Sequence, residues 1–79
     1  MTDGPLRITA GDLSVEEILE HLQAGTRVVI ERDLLGSVHE VTLRFDGEVY
    51  YCDTPTTLHR HRTADEMREC LANERYGSE

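Results

Sequence analysis

The alternating segment that runs from Val38 to Phe45 and ends at Asp46-Gly47 constrains this fold more than any other stretch. Alternation of apolar and polar residues is the period of a half-buried β-strand. Asp-Gly is a strong signal for a tight hairpin turn, so another strand is expected at once, over residues 48–53. One side of the first strand carries every second residue: His39, Val41, Leu43 and Phe45. The pattern predicts an antiparallel hairpin with one apolar face.

A further hairpin is predicted immediately before this one. Residues 27–33 have the composition of a strand, and residues 34–37 have that of a turn. A four-residue turn there sets Ile30 opposite Val41, and opposed residues in an antiparallel pair lie on the same face. The sequence therefore predicts a three-stranded antiparallel meander.

The registers of the two hairpins can be compared with each other. A two-residue turn at Asp46-Gly47 sets Leu43 opposite Tyr50, on the same sheet face as Ile30. Both hairpins then share one apolar face, which consists of Val28, Ile30, Val41, Leu43, Phe45, Tyr50 and Cys52. This agreement between independent turns favours the meander.

Two helices are predicted to flank the strands. Ser14 followed by Glu17 has the pattern of a capping box, and Gly25 is placed to end the helix that Ser14 begins. The apolar face of this helix follows the i, i+3, i+4, i+7 spacing: Val15, Ile18, Leu19 and Leu22. Thr63 and Glu66 form a second capping box, which predicts a second helix.

These elements predict an α+β domain that spans residues 1–79, in the order helix, three-stranded antiparallel meander, helix. Both helices are expected on the one apolar sheet face. Residues 1–11 and 75–79 are expected to be loose, although residues 6–8 could pair as a short strand on a sheet edge. The sequence leaves open whether residues 56–61 form a fourth strand or a loop.

The net charge of the chain argues against one class of binding partner. Sixteen acidic residues against eight basic ones give a net charge of −8, which would repel a polyanion such as nucleic acid. All eight basic residues are arginine. An acidic surface without lysine is typical of halophilic archaea, where salt screens the self-repulsion, and chance in a short sequence is the alternative.

The N-terminal residues, the number of cysteines and the length of the apolar runs predict where in the cell the protein is located. Residues 1–5 show no basic start followed by an apolar run, and two cysteines make no disulfide framework. The longest strictly aliphatic run, residues 28–30, is far shorter than the roughly 18 residues of a membrane span. We expect a cytoplasmic protein that has no membrane partner.

The sharpest chemical hypothesis is a zinc site. Two thiols and two imidazoles are a ligand set of structural zinc, and the chain supplies them as Cys52, His59, His61 and Cys70. The spacing counts against this, because six residues separate Cys52 from His59 and zinc sites usually use tight pairs. Core cysteines are the preferred interpretation.

An anion site is the second hypothesis. A basic run leads directly into the predicted second helix, where free N–H groups favour negative charge: His59, Arg60, His61, Arg62 and Thr63. Asp65 and Glu66 already occupy the first turn, however, so surface ion pairs are the preferred interpretation.

A cysteine nucleophile is a third possibility. Cys52 could be activated by His39 or His59, since a neighbouring imidazole lowers the pKa of a thiol. Nothing in the sequence adds an oxyanion hole or a group that would orient the base. The chain is therefore not expected to be an enzyme.

Contact between proteins is the class that we favour. The outward sheet face and the first turn carry more exposed apolar surface than a small monomer needs, namely Val29, Val49, Tyr51, Leu34 and Leu35. The open edges of a meander could also pair across a two-fold axis and give a homodimer.

Four stretches resemble a family of small haloarchaeal proteins of unknown function: residues 26–32, 38–47, 50–55 and 58–61. The resemblance covers most of residues 12–72 and brings no established activity or catalytic residues. It implies a cytoplasmic protein of a halophile and is compatible with a regulatory role.

The leading hypothesis is thus a non-catalytic protein-interaction or regulatory module that self-associates and needs no cofactor. A zinc-binding module and an anion- or phosphoester-binding module are the alternatives.

Overall fold

The computed structural model describes residues 5–77, apart from the side chain of Leu34. The elements follow one another as β1 (Leu6–Thr9), α1 (Val15–Gln23), β2 (Val28–Leu34), β3 (Ser37–Phe45), β4 (Tyr50–Asp53), β5 (Leu58–His61) and α2 (Ala64–Asn73). Neither helix in this part of the chain is long and apolar enough to cross a membrane.

The strands form one five-stranded sheet in the order β1-β2-β3-β4-β5. β1 runs parallel to β2, and every other neighbouring pair is antiparallel. The predicted α+β class is confirmed, but the three-stranded meander is wrong, because β1 and β5 extend the sheet at both ends. Each of these two strands has only four residues, too few for a periodic pattern to identify reliably.

The first hairpin has the predicted register. Ile30 lies opposite Val41 and Val28 lies opposite Leu43. The turn is shorter than predicted, since Leu35 and Gly36 alone connect the strands and both have positive φ, 52° and 84°. Two positive φ values are the geometry of the tight hairpin turn that fits the twist of a sheet.

The second hairpin is shifted by two residues from the predicted register. Leu43 pairs with Cys52 and not with Tyr50. The shift follows from Asp46, whose Oδ1 accepts hydrogen bonds from the backbone N–H groups of Glu48 and Val49 at 2.9 and 2.8 Å. These bonds close a four-residue turn, and a shift of two keeps every side chain on its predicted face.

The undecided segment of residues 56–61 contains β5. The backbone N–H of Thr54 donates to the carbonyl of Thr57, and the hydroxyl of Thr54 accepts from the N–H of Thr57, both bonds at 2.8 to 2.9 Å. This turn brings His59 opposite Cys52 and His61 opposite Tyr50. Both histidines of β5 therefore lie on the core face of the sheet.

Both helices pack on the predicted sheet face and share one core with it. Its buried side chains are Ile18, Leu19, Leu22, Val28, Ile30, Val41, Leu43, Tyr50, Cys52, Met67, Leu71 and Tyr76. Leu6 and Ile8 of β1 pack against its border. The opposite face of the sheet has no helix over it in the described part of the chain.

The helix ends follow the predicted caps, with one difference. Ser14 and Glu17 form the complete capping box, and Gly25 ends α1 with a φ of 92°. Thr63 caps α2 through the N–H of Glu66, but the Glu66 carboxylate accepts from the N–H of Arg62, one residue before the cap. The second capping box is thus only half formed.

The described parts of the two terminal segments are more ordered than expected, and residues 1–4, 78 and 79 lie outside the described part of the chain. Residues 6–9 form β1, and Tyr76 is only 3% exposed. Arg75 adopts a φ of 60°, which lets the N–H of Tyr76 donate to the carbonyl of Leu71 at 3.0 Å. This is a Schellman ending, in which an apolar residue after the helix packs back on its last turn.

Candidate functional site

Two thiols meet between α2 and the sheet. Cys52 lies in the middle of β4 and is fully buried, whereas Cys70 lies on α2 and is half-buried. Met67 and Leu71 turn the same side of α2 towards the sheet, and this side carries Cys70 to Cys52. The two thiols are neighbours, because Cys70 packs against the core that contains Cys52, and both are free cysteines.

The pKa of Cys70 is lowered to about 6. The main cause is the hydrogen bond from Cys52, which stabilises the Cys70 thiolate. Burial opposes this effect, while the imidazole of His61 and the more distant charge of His59 reinforce it. Cys70 is therefore the nucleophilic member of the pair near neutral pH.

The pKa of Cys52 is raised well above its ordinary value. Its hydrogen bond to Cys70 is the main cause, followed by burial and by the charges of Cys70 and Glu74. A hydrogen bond from Tyr76 acts in the opposite direction and is weaker. Near neutral pH the pair therefore carries one proton, which is bound to Cys52, and Cys70 is the thiolate.

Two histidines border the thiols on the side of β5. The rings of His59 and His61 are stacked with their centroids 6.3 Å apart and their planes within 5°. The Nε2 atom of His61 is enclosed and has no hydrogen-bond partner within the part of the chain that the structure describes. An enclosed nitrogen without a hydrogen-bond partner costs free energy. The packing of the surrounding residues therefore holds the His61 imidazole in this position, and its Nε2 can still form one hydrogen bond.

A cavity of about 270 Å³ opens beside Cys70. It is lined by His61, Glu66, Glu69, Cys70, Asn73 and Glu74. Three glutamates and Cys70 are among its lining residues, so its surroundings are acidic and small molecules have a route to Cys70. Cys52 does not line it and lies behind Cys70 in the core.

Tyr76 closes the far side of the pair. Burial raises the pKa of its phenol to about 12, and the negative charges of Glu74 and of the Cys70 thiolate contribute further. The guanidinium of Arg32 lies 4.9 Å from the centre of the ring and donates to the carbonyl of Glu74. Sequence reasoning missed Tyr76, because Arg75 stands where a glycine would have marked the helix ending.

The structure brings the four predicted zinc ligands together but does not arrange them as a metal site. Among residues 5–77, no three His, Cys, Asp or Glu side chains have the geometry of a metal site. A metal lies in the ring plane of each imidazole that binds it, and the parallel, stacked rings of His59 and His61 do not share such a point. The thiol of Cys52 is engaged with Cys70 instead.

The predicted anion site is occupied by carboxylates of the protein. Glu66 accepts from the N–H of Arg62, and Thr63 accepts from the N–H of Glu66. Asp65 forms an ion pair with Arg68 in the first turn of α2. His59 and His61 lie on the core face of β5, whereas Arg60 lies on the outer face, so the basic run does not converge on the helix.

The predicted activation of Cys52 by a histidine is not what the structure shows. His59 does lie opposite Cys52, but Cys52 has a raised pKa and Cys70 has the lowered one. His39 lies four residues along β3 from Leu43, the partner of Cys52, which is roughly 13 Å. The imidazole beside the reactive thiol is that of His61.

The predicted interface residues are exposed to different degrees. Val29 is only 5% exposed, because the side chain of Arg7 crosses β2 to reach Glu40 at 3.1 Å. Val29 is thus not an exposed residue as predicted. Tyr51 and Val49 are half-buried, and the guanidinium of Arg44 lies 4.0 Å from the centre of the Tyr51 ring.

The first turn holds the other two predicted interface residues. Leu35 is fully exposed, and the side chain of Leu34 lies outside the described part of the structure. Val38 and Leu58 are also exposed apolar residues, and neither was among the predicted set. The alternation of β5 could have identified Leu58 if that segment had been recognised as a strand.

A family model, described as a family of unknown function (DUF8001), matches residues 1–79. The chain belongs to the DUF8001 family. Membership of DUF8001 agrees with the resemblance to proteins of unknown function and assigns no activity. No curated protein and no solved structure matched the chain.

Proposed function

We propose that this DUF8001 protein is a non-catalytic regulatory module that acts through protein contacts and self-associates through the free edge of β5. The observation that carries the proposal is that β5 ends the sheet with its outer edge unpaired by any described strand. An unpaired edge is a template for another strand, and a two-fold axis lets two copies satisfy each other.

The backbone groups at this edge can be assigned from the turn before β5. Thr54 and Thr57 are a hydrogen-bonded pair, and such pairs recur at every second residue of an antiparallel ladder. The two histidines of β5 therefore bond to β4. The N–H and C=O groups of Leu58 and Arg60 point away from the sheet and remain available.

Two copies can use these groups in a register that places His59 on the two-fold axis. Leu58 of one protomer then lies opposite Arg60 of the partner subunit, and each of these pairs exchanges both backbone hydrogen bonds. A shift by one pair would place Arg60 opposite the partner's Arg60, where like charges oppose association. Charge thus favours the register centred on His59, which continues the sheet with the same core face.

The side chains on the outer face support this register. Leu58 is 44% exposed in the single chain. The aliphatic part of the partner's Arg60 would cover Leu58 across the axis, because long charged side chains pack their stems on apolar surface. This contact would remove an exposed apolar residue from solvent in both subunits.

The net charge of −8 opposes association of two copies in dilute salt. Salt screens that repulsion and leaves the backbone bonds and the apolar contact at the edge. The proposed halophilic setting would therefore favour the associated state. The proposal includes a cytoplasmic location, for which the composition of the chain is the support.

The test is sedimentation velocity over a range of concentrations, in molar potassium chloride for the parent protein and at the lowest salt that still supports its dimer for three variants, so that their charges are not fully screened. Leu58→Lys places a charge opposite the partner's Arg60 at two symmetric positions and should weaken the dimer about tenfold. Leu58→Glu places an opposite charge there and should be tolerated. Val38→Lys is the matched control, since Val38 is another exposed apolar residue of the outer face, far from the edge.

A strict monomer at every concentration in high salt would reject self-association. Equal weakening by Leu58→Lys and Val38→Lys would assign the association to another surface. Circular dichroism of each variant should show the same secondary structure as the parent protein, so that loss of the dimer is not loss of the fold.

A further inference from the structure

We propose that Cys70 and Cys52 are a peroxide-responsive thiol pair, in which Cys70 reacts with the oxidant and Cys52 resolves the product as an intramolecular disulfide. This inference does not depend on self-association. It rests on the contact between the two thiols, on their different exposure and on the cavity that reaches only one of them.

The placement of the two thiols assigns their roles. Cys70 lines the cavity and is half-buried, so a small oxidant can reach its sulfur. Cys52 is 0% exposed and lies behind Cys70. Redox-sensing cysteines are accessible thiolates that lie next to a second, resolving cysteine, and this pair has that arrangement.

His61 supports Cys70 from the side of β5. Its imidazole lines the same cavity and stabilises the thiolate form of Cys70. Its enclosed Nε2 has no hydrogen-bond partner among residues 5–77, so the imidazole keeps one unused bonding position. We therefore class His61 as a positioning residue.

The charge of the cavity selects the class of oxidant. Three glutamates are among its lining residues, namely Glu66, Glu69 and Glu74. They repel an anionic disulfide such as oxidised glutathione, whereas hydrogen peroxide is neutral and small. The acidic lining thus favours a peroxide over a disulfide as the partner of Cys70.

The chemistry balances with one peroxide for each thiol pair. The Cys70 thiolate attacks one oxygen of hydrogen peroxide, the O–O bond breaks, and the leaving hydroxide takes a proton from solvent to become water. The sulfur of Cys52 then attacks the Cys70 sulfenic acid after losing its proton, the S–S bond forms and the S–O bond breaks. The second hydroxide leaves as water with that proton, so two thiols are oxidised and one peroxide is reduced to two waters.

The test uses the full, reduced chain with one equivalent of hydrogen peroxide at pH 7 in high salt. Both thiols should be lost together, the mass should fall by that of two hydrogen atoms, and dithiothreitol should restore both thiols. A non-reducing gel should show no cross-linked chains. Persistence of both thiols while free cysteine is consumed under the same conditions would overturn the proposal, and so would an intermolecular disulfide.

Single-cysteine variants separate the two roles. Cys52→Ser should stop the reaction at a Cys70 sulfenic acid, which dimedone traps, because serine cannot form the disulfide. Cys70→Ser should leave Cys52 unreactive towards peroxide. Similar peroxide reactivity of Cys52 in Cys70→Ser and in the parent protein would contradict the assigned order.

The rate at which Cys70 is alkylated measures the activation of its thiol without the use of peroxide. At pH 6 iodoacetamide should react with Cys70 about tenfold faster in the folded protein than after unfolding in urea, since a larger thiolate fraction outweighs its lower nucleophilicity. A slower reaction in the folded protein would reject Cys70 as an activated thiol.

Zinc binding is the competing function of the same cysteines, and analysis of the bound metal tests it separately. Protein incubated with zinc chloride alone and then desalted should retain no stoichiometric metal if the pair is a redox site. One zinc per chain, with both thiols protected from alkylation, would overturn the redox proposal in favour of a metal site.

Discussion

Cys70 on α2 packs against the core beside Cys52 on β4, and the interaction of the two thiols moves their pKa values in opposite directions. The cause is the position of each sulfur. Cys70 has His61 beside it and a cavity in front of it, whereas Cys52 has the core around it and the Cys70 thiolate as its nearest charge. The contact between one helix and one strand thereby produces a reactive and a protected thiol from the same residue type.

The first prediction concerns the pH at which Cys70 becomes reactive. The rate of its alkylation should rise with a midpoint near pH 6, the lowered pKa of this thiol. Cys52→Ala should move the midpoint upward more than His61→Asn, because the bond from Cys52 is the larger cause. Cys52→Ser should retain part of the shift, since a serine hydroxyl can still donate.

His39→Asn is the matched control for His61→Asn, because His39 lies on the same sheet face but far from the thiols. It should leave the alkylation profile unchanged. Equal effects of the two substitutions would mean that His61 does not act on Cys70 directly.

The second prediction concerns alkaline stability. The pKa of Tyr76 is raised to about 12 by burial, above the ordinary phenol value near 10. The folded state therefore holds this proton more tightly, and the stabilisation is fully present below pH 10 and is lost as the pH rises towards 12. The Tyr76 phenol should contribute about 2 kcal/mol to the fall in the free energy of unfolding over that interval, and the raised pKa of Cys52 should add a further fall in the same direction.

Tyr76→Phe should make this dependence shallower by the Tyr76 contribution, because phenylalanine keeps the buried ring and has no ionisable hydroxyl, while the contribution of Cys52 remains. Urea unfolding at a series of pH values measures the effect. Tyr51→Phe, on the outer face, is the control and should unfold with the same pH dependence as the parent protein. A parallel decline in Tyr76→Phe would show that another group is responsible.

The third prediction concerns the oxidised protein. A disulfide between Cys52 and Cys70 would tie α2 to β4 and reduce the freedom of the unfolded chain. For a loop of this length, the free energy of unfolding should increase by about 2–3 kcal/mol. Thermal unfolding of the oxidised and reduced protein, with and without dithiothreitol, measures the difference, and a lower melting temperature after oxidation would indicate that the bond strains the native structure.

The fourth prediction concerns the first hairpin turn. Leu35 has a φ of 52° and a fully exposed side chain, a combination that favours asparagine. Leu35→Asn should stabilise the protein by about 0.5–1 kcal/mol in urea unfolding. It should leave the sedimentation of the protein unchanged, because the proposed edge contact lies elsewhere, and a loss of the dimer would instead place Leu35 in the interface.

The fifth prediction concerns salt. The dimer should strengthen as potassium chloride rises from about 0.1 M to the molar range, because the screening length falls from about 10 Å to about 3 Å. Sedimentation equilibrium at fixed protein concentration measures the change. A dimer that weakens with salt would identify attractive ion pairs, and not backbone pairing, as its main contact.

The central strands and both helices were predictable because their signals are local and repeated. The alternation of β3, the capping box of Ser14 and Glu17 and the apolar spacing of α1 each identify their element without knowledge of the rest. The apolar sheet face followed from the same alternation. These predictions needed only periods of two and 3.6 residues.

The parts that the sequence left undecided depend on contacts that sequence spacing does not encode. β1 is a strand because it pairs with β2 across the intervening α1, and β5 is a strand because the hydroxyl of Thr54 closes its turn. The thiol pair likewise arises only when α2 folds over β4. The predicted zinc ligands and the thiol pair share the same two cysteines. The geometry of the neighbouring histidine rings decides between the two, and the sequence does not contain that geometry.

The four-residue turn closed by Asp46 also bears on how this chain can change in length. Gain or loss of two residues there would leave Cys52 on the core side, opposite another member of the same face. Gain or loss of one residue would turn Cys52 outward and bring Tyr51 inward, so the thiol pair would be broken without any change to either cysteine. We therefore expect length variants of this turn in related sequences to differ by even numbers of residues.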